Sequence, residues 1–167
     1  MMNFANIPRG AKVFVDANTF VYHFASEPTY GAAATALLQR LESKEIQGYF
    51  TSHVLAEASH RLMTIEACSL FGWPYAGIAA RLQKHQRDIA ALTRFQQAVF
   101  EIDLLNLESI DVQIADVLRA AEISRQFGLL TNDAVVVAVM QRRGLQNIAS
   151  NDEDFDRVSG ITRFAPI

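Results

Sequence analysis

A chain of 167 residues, half of them hydrophobic and 20% charged, is long enough to bury a proper core and too apolar to be disordered. Its net charge of −3 gives no electrostatic reason to expect nucleic acid, so such a contact needs a local cluster of basic residues. The single cysteine, Cys68, excludes an internal disulfide and a multi-cysteine zinc site, and reads as a small buried hydrophobe.

Taken in order, residues 1–11 contain Pro8 and Gly10 and lead into a strand at 12–16. There the β-rich run Val13-Phe14-Val15 ends abruptly on Asp16, with Asn18 two residues on and a new apolar run from Phe20. A buried parallel strand reads this way when its last residue delivers a carboxylate to the sheet edge. Residues 19–25 begin a helix that Ser26-Glu27-Pro28 interrupts. A helix over 31–44 places Ala33, Leu37, Leu38 and Leu41 on one face and Gln39, Arg40 and Glu42 on the other. Gly48 ends that unit, and Tyr49-Phe50-Thr51 forms a short strand.

Thr51 or Ser52 then caps a helix over 53–66, striped by Val54, Leu55, Ala58 and Leu62, with Glu57 one turn in. Phe71-Gly72-Trp73-Pro74 breaks the pattern. A long helix at 75–97 follows, with Ile78, Leu82, Ile89, Leu92 and Phe95 as core contacts, so that 66–100 forms an extended helical segment. A strand is expected at 103–107. The helix after it, 109–127, is expected to turn Ile110, Ile114, Val117, Leu118 and Ala121 inward.

The valine-rich stretch at 132–143 has strand propensity, but its ends argue for a buried helix. Thr131 or Asn132 suits an N-cap, Asp133 a first turn, Arg142 and Arg143 a last turn, and Gly144 the position after it. A strand at 147–150, a short helix at 152–158 and a last strand at 161–164 complete the chain. Alternating strands and helices imply one α/β domain over 1–167 with a mainly parallel central sheet. No leader pattern opens the sequence and no apolar run approaches the ~18 residues of a membrane span. A soluble, cytoplasmic protein without membrane contact is expected.

Four acids take equivalent places: Asp16 ends a strand, Glu57 lies early in a helix after a strand, Asp133 starts a helix, and Asp152 follows a strand. Asp154 is close enough to substitute for Asp152. Crowded carboxylates repel one another, and a hard divalent cation such as Mg²⁺ or Mn²⁺ removes that repulsion. The ion also lets an acidic pocket accept a phosphodiester and activates water against it.

The runs Val-Asp-Ala-Asn-Thr-Phe-Val at 15–21, Thr-Ser-His-Val-Leu-Ala-Glu-Ala at 51–58, Leu-Thr-Asn-Asp-Ala-Val-Val-Val-Ala at 130–138 and Ser-Asn-Asp-Glu-Asp-Phe at 150–155 together resemble the PIN domain. More narrowly, they resemble VapC-type toxins and their solitary relatives. The resemblance implies a three-layer α/β/α sandwich and a Mg²⁺- or Mn²⁺-dependent endoribonuclease. It implies Asp16, Glu57, Asp133 and Asp152 as its acidic quartet, with Asn18 orienting Asp16 and Ser150 near the metal. It also implies an RNA substrate, a cognate antitoxin if the protein is a toxin, and a homodimer through apolar helices. Ala17 departs from the family's frequent Thr or Ser, and 66–100 is longer than a compact toxin needs. A PIN-like nuclease that is not a toxin, or a module that binds RNA or protein without cleaving, is the alternative.

Other constellations are weaker. His53, Glu57 and His60, spaced i, i+4, i+7, offer zinc ligands but lack a third strong ligand and a catalytic partner. His23 and His85 read as structural or exposed. A phosphatase with Asp16 as nucleophile needs an acid where Asn18 stands. Neither a glycine-rich phosphate loop nor a nucleophile elbow is present. Arg61, one turn beyond Glu57, is placed to reach a phosphate; Arg40, Lys84, Arg87 and Arg94 are further candidates.

Overall fold

The computed structural model describes residues 2–167. Six strands form one parallel sheet: β1 (Met2–Asn3), β2 (Lys12–Val15), β3 (Gln47–Thr51), β4 (Leu107–Ile110), β5 (Asn147–Ala149) and β6 (Thr162–Ala165), in the order β1-β6-β5-β2-β3-β4. Eight α-helices connect them: α1 (Ala17–Phe24), α2 (Gly31–Glu42), α3 (Ser52–Phe71), α4 (Ile78–Lys84), α5 (Gln86–Ile89), α6 (Arg94–Leu104), α7 (Ile114–Phe127) and α8 (Thr131–Arg143). The architecture is the three-layer α/β/α sandwich, with α1, α2, α3 and α6 packed on one another and α7 packed on α8.

β2 lies at the centre, and Val13, Phe14 and Val15 are fully buried because both faces of a parallel sheet are covered. Phe20 of α1 meets Phe50 of β3 edge to face, with ring centroids 6.1 Å apart. The chain leaves β2 for β3 on one side, and β5 flanks it on the other, so the sheet order reverses at β2. A crevice opens at the carboxyl ends of strands at such a point.

The structure corrects several expectations. Gly48 does not end a helical unit but lies within β3, where a Cβ would come within 2.4 Å of Leu107 Cδ2 and 2.5 Å of Leu41 Cδ2. The helix expected at 75–97 is three shorter ones, and the last runs on through 103–104, which displaces the following strand to Leu107–Ile110. That strand is fixed by pairing, Leu107 opposite Gly48 and Ile110 opposite Thr51. β1 went unforeseen because two residues carry no periodicity; it exists by pairing Met2 with Phe164 and Asn3 with Ala165.

α7 begins at Ile114 and presents the opposite face to the one expected. Asp116, Ala120 and Ile123 are buried, whereas Ile114, Val117 and Leu118 are 82%, 47% and 68% exposed. The reason is an ion pair: Asp116 accepts from Arg142 Nε at 2.7 Å and from its Nη2 at 2.9 Å, and so turns inward toward α8. α8 itself is a helix despite its valines, ending on Gly144 at φ 66°. Its cap is Leu130 rather than Thr131 or Asn132, and no side chain closes its first turn.

Candidate active site

Asp16 follows the last residue of β2, and Ser150 follows the last residue of β5. The register that pairs Val15 with Ala149 sets the two side by side. Ser150 Oγ donates to Asp16 Oδ2 at 2.6 Å, and Asn18 Nδ2 donates to the same oxygen at 2.5 Å. The Ala17 N–H donates to Asp16 Oδ1 at 2.7 Å and so caps α1. Ser150 Oγ in turn accepts from Asn18 Nδ2 at 3.1 Å and from the Asp152 N–H at 3.0 Å. Asp16, Asn18, Ser150 and Asp152 therefore form one connected set across β2 and β5.

Burial pushes the Asp16 carboxyl up to about 6, against the pull of the bonds from Ser150 and Ala17, with Glu57 adding to the rise. Asp133, in the first turn of α8, is likewise pushed up to about 6. Burial is the main cause there, followed by the charges of Asp152, Asp16, Glu57 and Asp154 in that order. Asp133 thus feels every other candidate acid. The fold brings toward one sheet edge carboxylates from four separate stretches of the chain.

They are not equally free. Glu57 has Arg61 Nη1 at 4.0 Å, one helical turn away on α3. Asp152 Oδ1 accepts from the Asp154 N–H at 2.9 Å and starts a turn of 3-10 helix, Glu153–Arg157. Asp154 is paired with Arg157 Nη2 at 2.7 Å. Among the described residues no three acidic, histidine or cysteine side chains converge closely enough to chelate one ion as they stand. That holds for the carboxylates and equally for His53, Glu57 and His60. His60 is exposed, and His53 Nε2 is buried without a hydrogen-bond partner. Of the other basic candidates, Arg40 is committed elsewhere: it donates to Glu45 and to the carbonyls of Phe4 and Ile7.

The sequence reading missed an outer ring. The Asn151 N–H donates to Asn18 Oδ1 at 3.3 Å, and Asn151 Nδ2 donates to the Tyr22 hydroxyl at 2.9 Å. Burial pushes the Tyr22 phenol up. Spacing held the clue, since Tyr22 lies one turn beyond Asn18 on α1 and Asn151 sits between Ser150 and Asp152.

Among known proteins, the chain is 27% identical over 151 residues to Ribonuclease VapC2 of Methanocaldococcus jannaschii, covering 88% of this chain and 89% of that protein. Its fold matches VapBC2 of Rickettsia felis bound to a DNA fragment from their promoter, with a TM-score of 0.56 at 18% identity over 92% of this chain and 98% of that one. It also matches Mycobacterium tuberculosis VapC20, a sarcin-ricin loop cleaving toxin, with a TM-score of 0.55 at 19% identity over 86% and 92% of the two chains. The DNA-bound VapBC of Salmonella typhimurium gives 0.57 at 14% identity over 94% and 99%. The PIN domain family model matches residues 13–161, from the central strand through the whole acid-bearing edge, and the chain belongs to the PIN domain family.

Proposed function

We propose that this protein is a divalent-metal-dependent endoribonuclease that hydrolyses RNA phosphodiester bonds, and that it acts as the toxin of a toxin–antitoxin pair, masked by a cognate antitoxin. The observation that carries the reading is the hydrogen-bonded set Asp16, Asn18, Ser150 and Asp152 at the carboxyl edge of a parallel sheet, with Asp133 near enough to feel the charges of Asp152, Asp16 and Glu57. The carboxylate donors are all oxygen, which suits Mg²⁺ or Mn²⁺ over softer ions. The ribonuclease and toxin names of the relatives support the same class.

Asp16, Asp133, Glu57 and Asp152 are the residues that would hold the ion, and when bound it would supply an activated water and offset charge developing on the phosphate. Asn18 and Ser150 hold the Asp16 carboxylate in one orientation through the bonds to Oδ2. Asp152 takes precedence over Asp154 because Ser150 Oγ links its backbone directly to Asp16, whereas the Asp154 carboxylate is ion-paired with Arg157. Arg61 offers a guanidinium beside the acids to orient a substrate phosphate.

The test is to incubate the purified protein with structured RNA, with Mn²⁺ or with EDTA, beside Asp16→Asn. Cleavage is expected only for the wild type with Mn²⁺; cleavage that survives EDTA or the substitution overturns the mechanism. Induced expression tests the toxin role: growth that continues unchanged while RNA is cut in vitro removes it. A homodimer is placed on the outward apolar stripe of α7, and light scattering of Leu118→Lys is expected to shift dimer to monomer.

A further inference from the structure

The segment between α3 and α6 carries charge opposite in sign to the rest of the molecule. Residues 72–94 hold Arg81, Lys84, Arg87 and Arg94 against one acid, Asp88, a formal charge of +3 within a chain of −3. Elsewhere seven arginines each face a carboxylate. Among the described residues, none of these four basic side chains makes an ion pair and all four are exposed, although the charge of Arg94 also acts on the Glu66 carboxylate. Unpaired cations repel one another, and their concentration in one short segment is stabilised by a polyanion.

The charges stand on a built platform. Ala67, Ile78, Leu82 and Leu92 form a second small core beneath them. The Arg81 guanidinium lies 5.4 Å from the Trp73 ring centroid, and Trp73 also packs on Phe71 and His85. Glu66 ties the platform to α3 by accepting from the backbone N–H groups of Thr93, Arg94 and Phe95. A shallow depression of about 410 Å³ is lined by Gln83, Lys84, His85, Gln86, Arg87 and Asp88, and Tyr75 is 63% exposed nearby in sequence. Exposed cations beside amide donors are the kind of surface that tracks the backbone of single-stranded RNA.

The platform begins where α3 ends. Glu57 and Phe71 lie 14 residues apart on that helix, about 21 Å along its axis. We infer that residues 72–94 are a docking platform for single-stranded RNA, gripping the substrate backbone several nucleotides away from the bond to be cut. The inference rests on the nuclease reading above and adds where the substrate is held. It makes the enzyme sensitive to RNA length as well as to the chemistry at the acids.

The test uses the full chain and Lys84→Glu/Arg87→Glu, two exposed positions whose side chains are in neither hydrophobic core. Binding of a fluorescein-labelled single-stranded RNA of about 30 nucleotides is followed by anisotropy in EDTA, from about 50 to 200 mM salt. The variant is expected to bind about tenfold more weakly, with its salt slope reduced by about 1.4, two phosphate contacts at about 0.7 each. In Mn²⁺ its kcat/KM should fall about tenfold on the long RNA and stay unchanged on an RNA of about 4 nucleotides. Arg9→Glu/Lys12→Glu, which alters net charge equally at the amino end of β2, should change binding less than about twofold. The inference is overturned if the platform variant binds like the wild type, if the control loses as much, or if cleavage of short and long RNA falls together. Platform-dependent binding with no cleavage by the wild type in Mn²⁺ would instead remove the nuclease reading and leave the docking surface standing.

Discussion

The acid-bearing sheet edge and the helical segment 72–94 solve opposite electrostatic problems. At the edge, half-buried carboxylates lie near enough for their charges to act on one another, and with burial this holds Asp16 and Asp133 above their ordinary range. Where the segment is tied to α3, the buried acid Glu66 is held below its ordinary range, because the backbone N–H bonds from Thr93, Arg94 and Phe95 and the charge of Arg94 outweigh the cost of its burial. One region is strained in its charged form and the other is stabilised by it. A fold tolerates the first kind of arrangement when a ligand relieves it, and uses the second kind to hold structure.

The largest effect expected is on the edge. Asp133→Asn should lower RNA cleavage by about a thousandfold, roughly 4 kcal/mol of lost transition-state stabilisation. The same substitution should raise the Tm in EDTA at pH 7, since it removes a charge that four others oppose. A variant that loses activity without gaining stability would break the contrast between the two regions.

Glu66→Ala comes next and should act in the reverse sense, costing about 2–3 kcal/mol of stability by leaving buried N–H groups without an acceptor. Thermal unfolding with and without Mn²⁺ should show that loss equally in both conditions. Cleavage of short RNA by the folded protein should be retained.

A smaller effect distinguishes the two by pH. Folded-state values raised from 3.8 to about 6 make Asp16 and Asp133 favour folding while protonated, and that contribution is lost as pH rises through the interval. Glu66, depressed from 4.5, contributes above that value and loses its contribution as pH falls below it. In EDTA, lowering the pH from 7 to 5 should therefore raise the Tm by a few degrees, and Asp133→Asn should flatten the rise. Mn²⁺ at pH 7 should raise the wild-type Tm and leave that of Asp133→Asn nearly unmoved. Smallest of all, Arg81→Met should cost about 0.5 kcal/mol through its stacking on Trp73.

Where an element carries its own punctuation, the sequence was sufficient. The helix at 131–143 was legible against its valine-rich interior because an acid at its start and two arginines and a glycine at its end agree. Asp16, Asp133 and Asp152 stand where the sequence puts them, at the start of a helix or 3-10 turn, whereas Glu57 lies inside α3. The segment 75–104 was misread because its apolar residues serve two cores at once, Ile78, Leu82 and Leu92 in the small one, Ala98 and Ile102 in the main one. Two stripes in series look like one long helix. The Asn151–Tyr22 ring went unread because each member has an ordinary local role and becomes part of the site through a contact 129 residues long.

By itself the sequence determined the α/β alternation, a central strand starting at Lys12, the helical state of 132–143, and the positions of Asp16, Asp133 and Asp152 at element boundaries. These follow from local preference and from burial written into the order of residues. Tertiary structure alone decided the rest. Pairing across the sheet set the register that places Asp16 beside Ser150, and Arg142 turned Asp116 inward and left the apolar stripe of α7 facing out. It also separated the chain's charges into an acidic edge and a basic platform, because forces between residues distant in sequence depend on where the fold brings them.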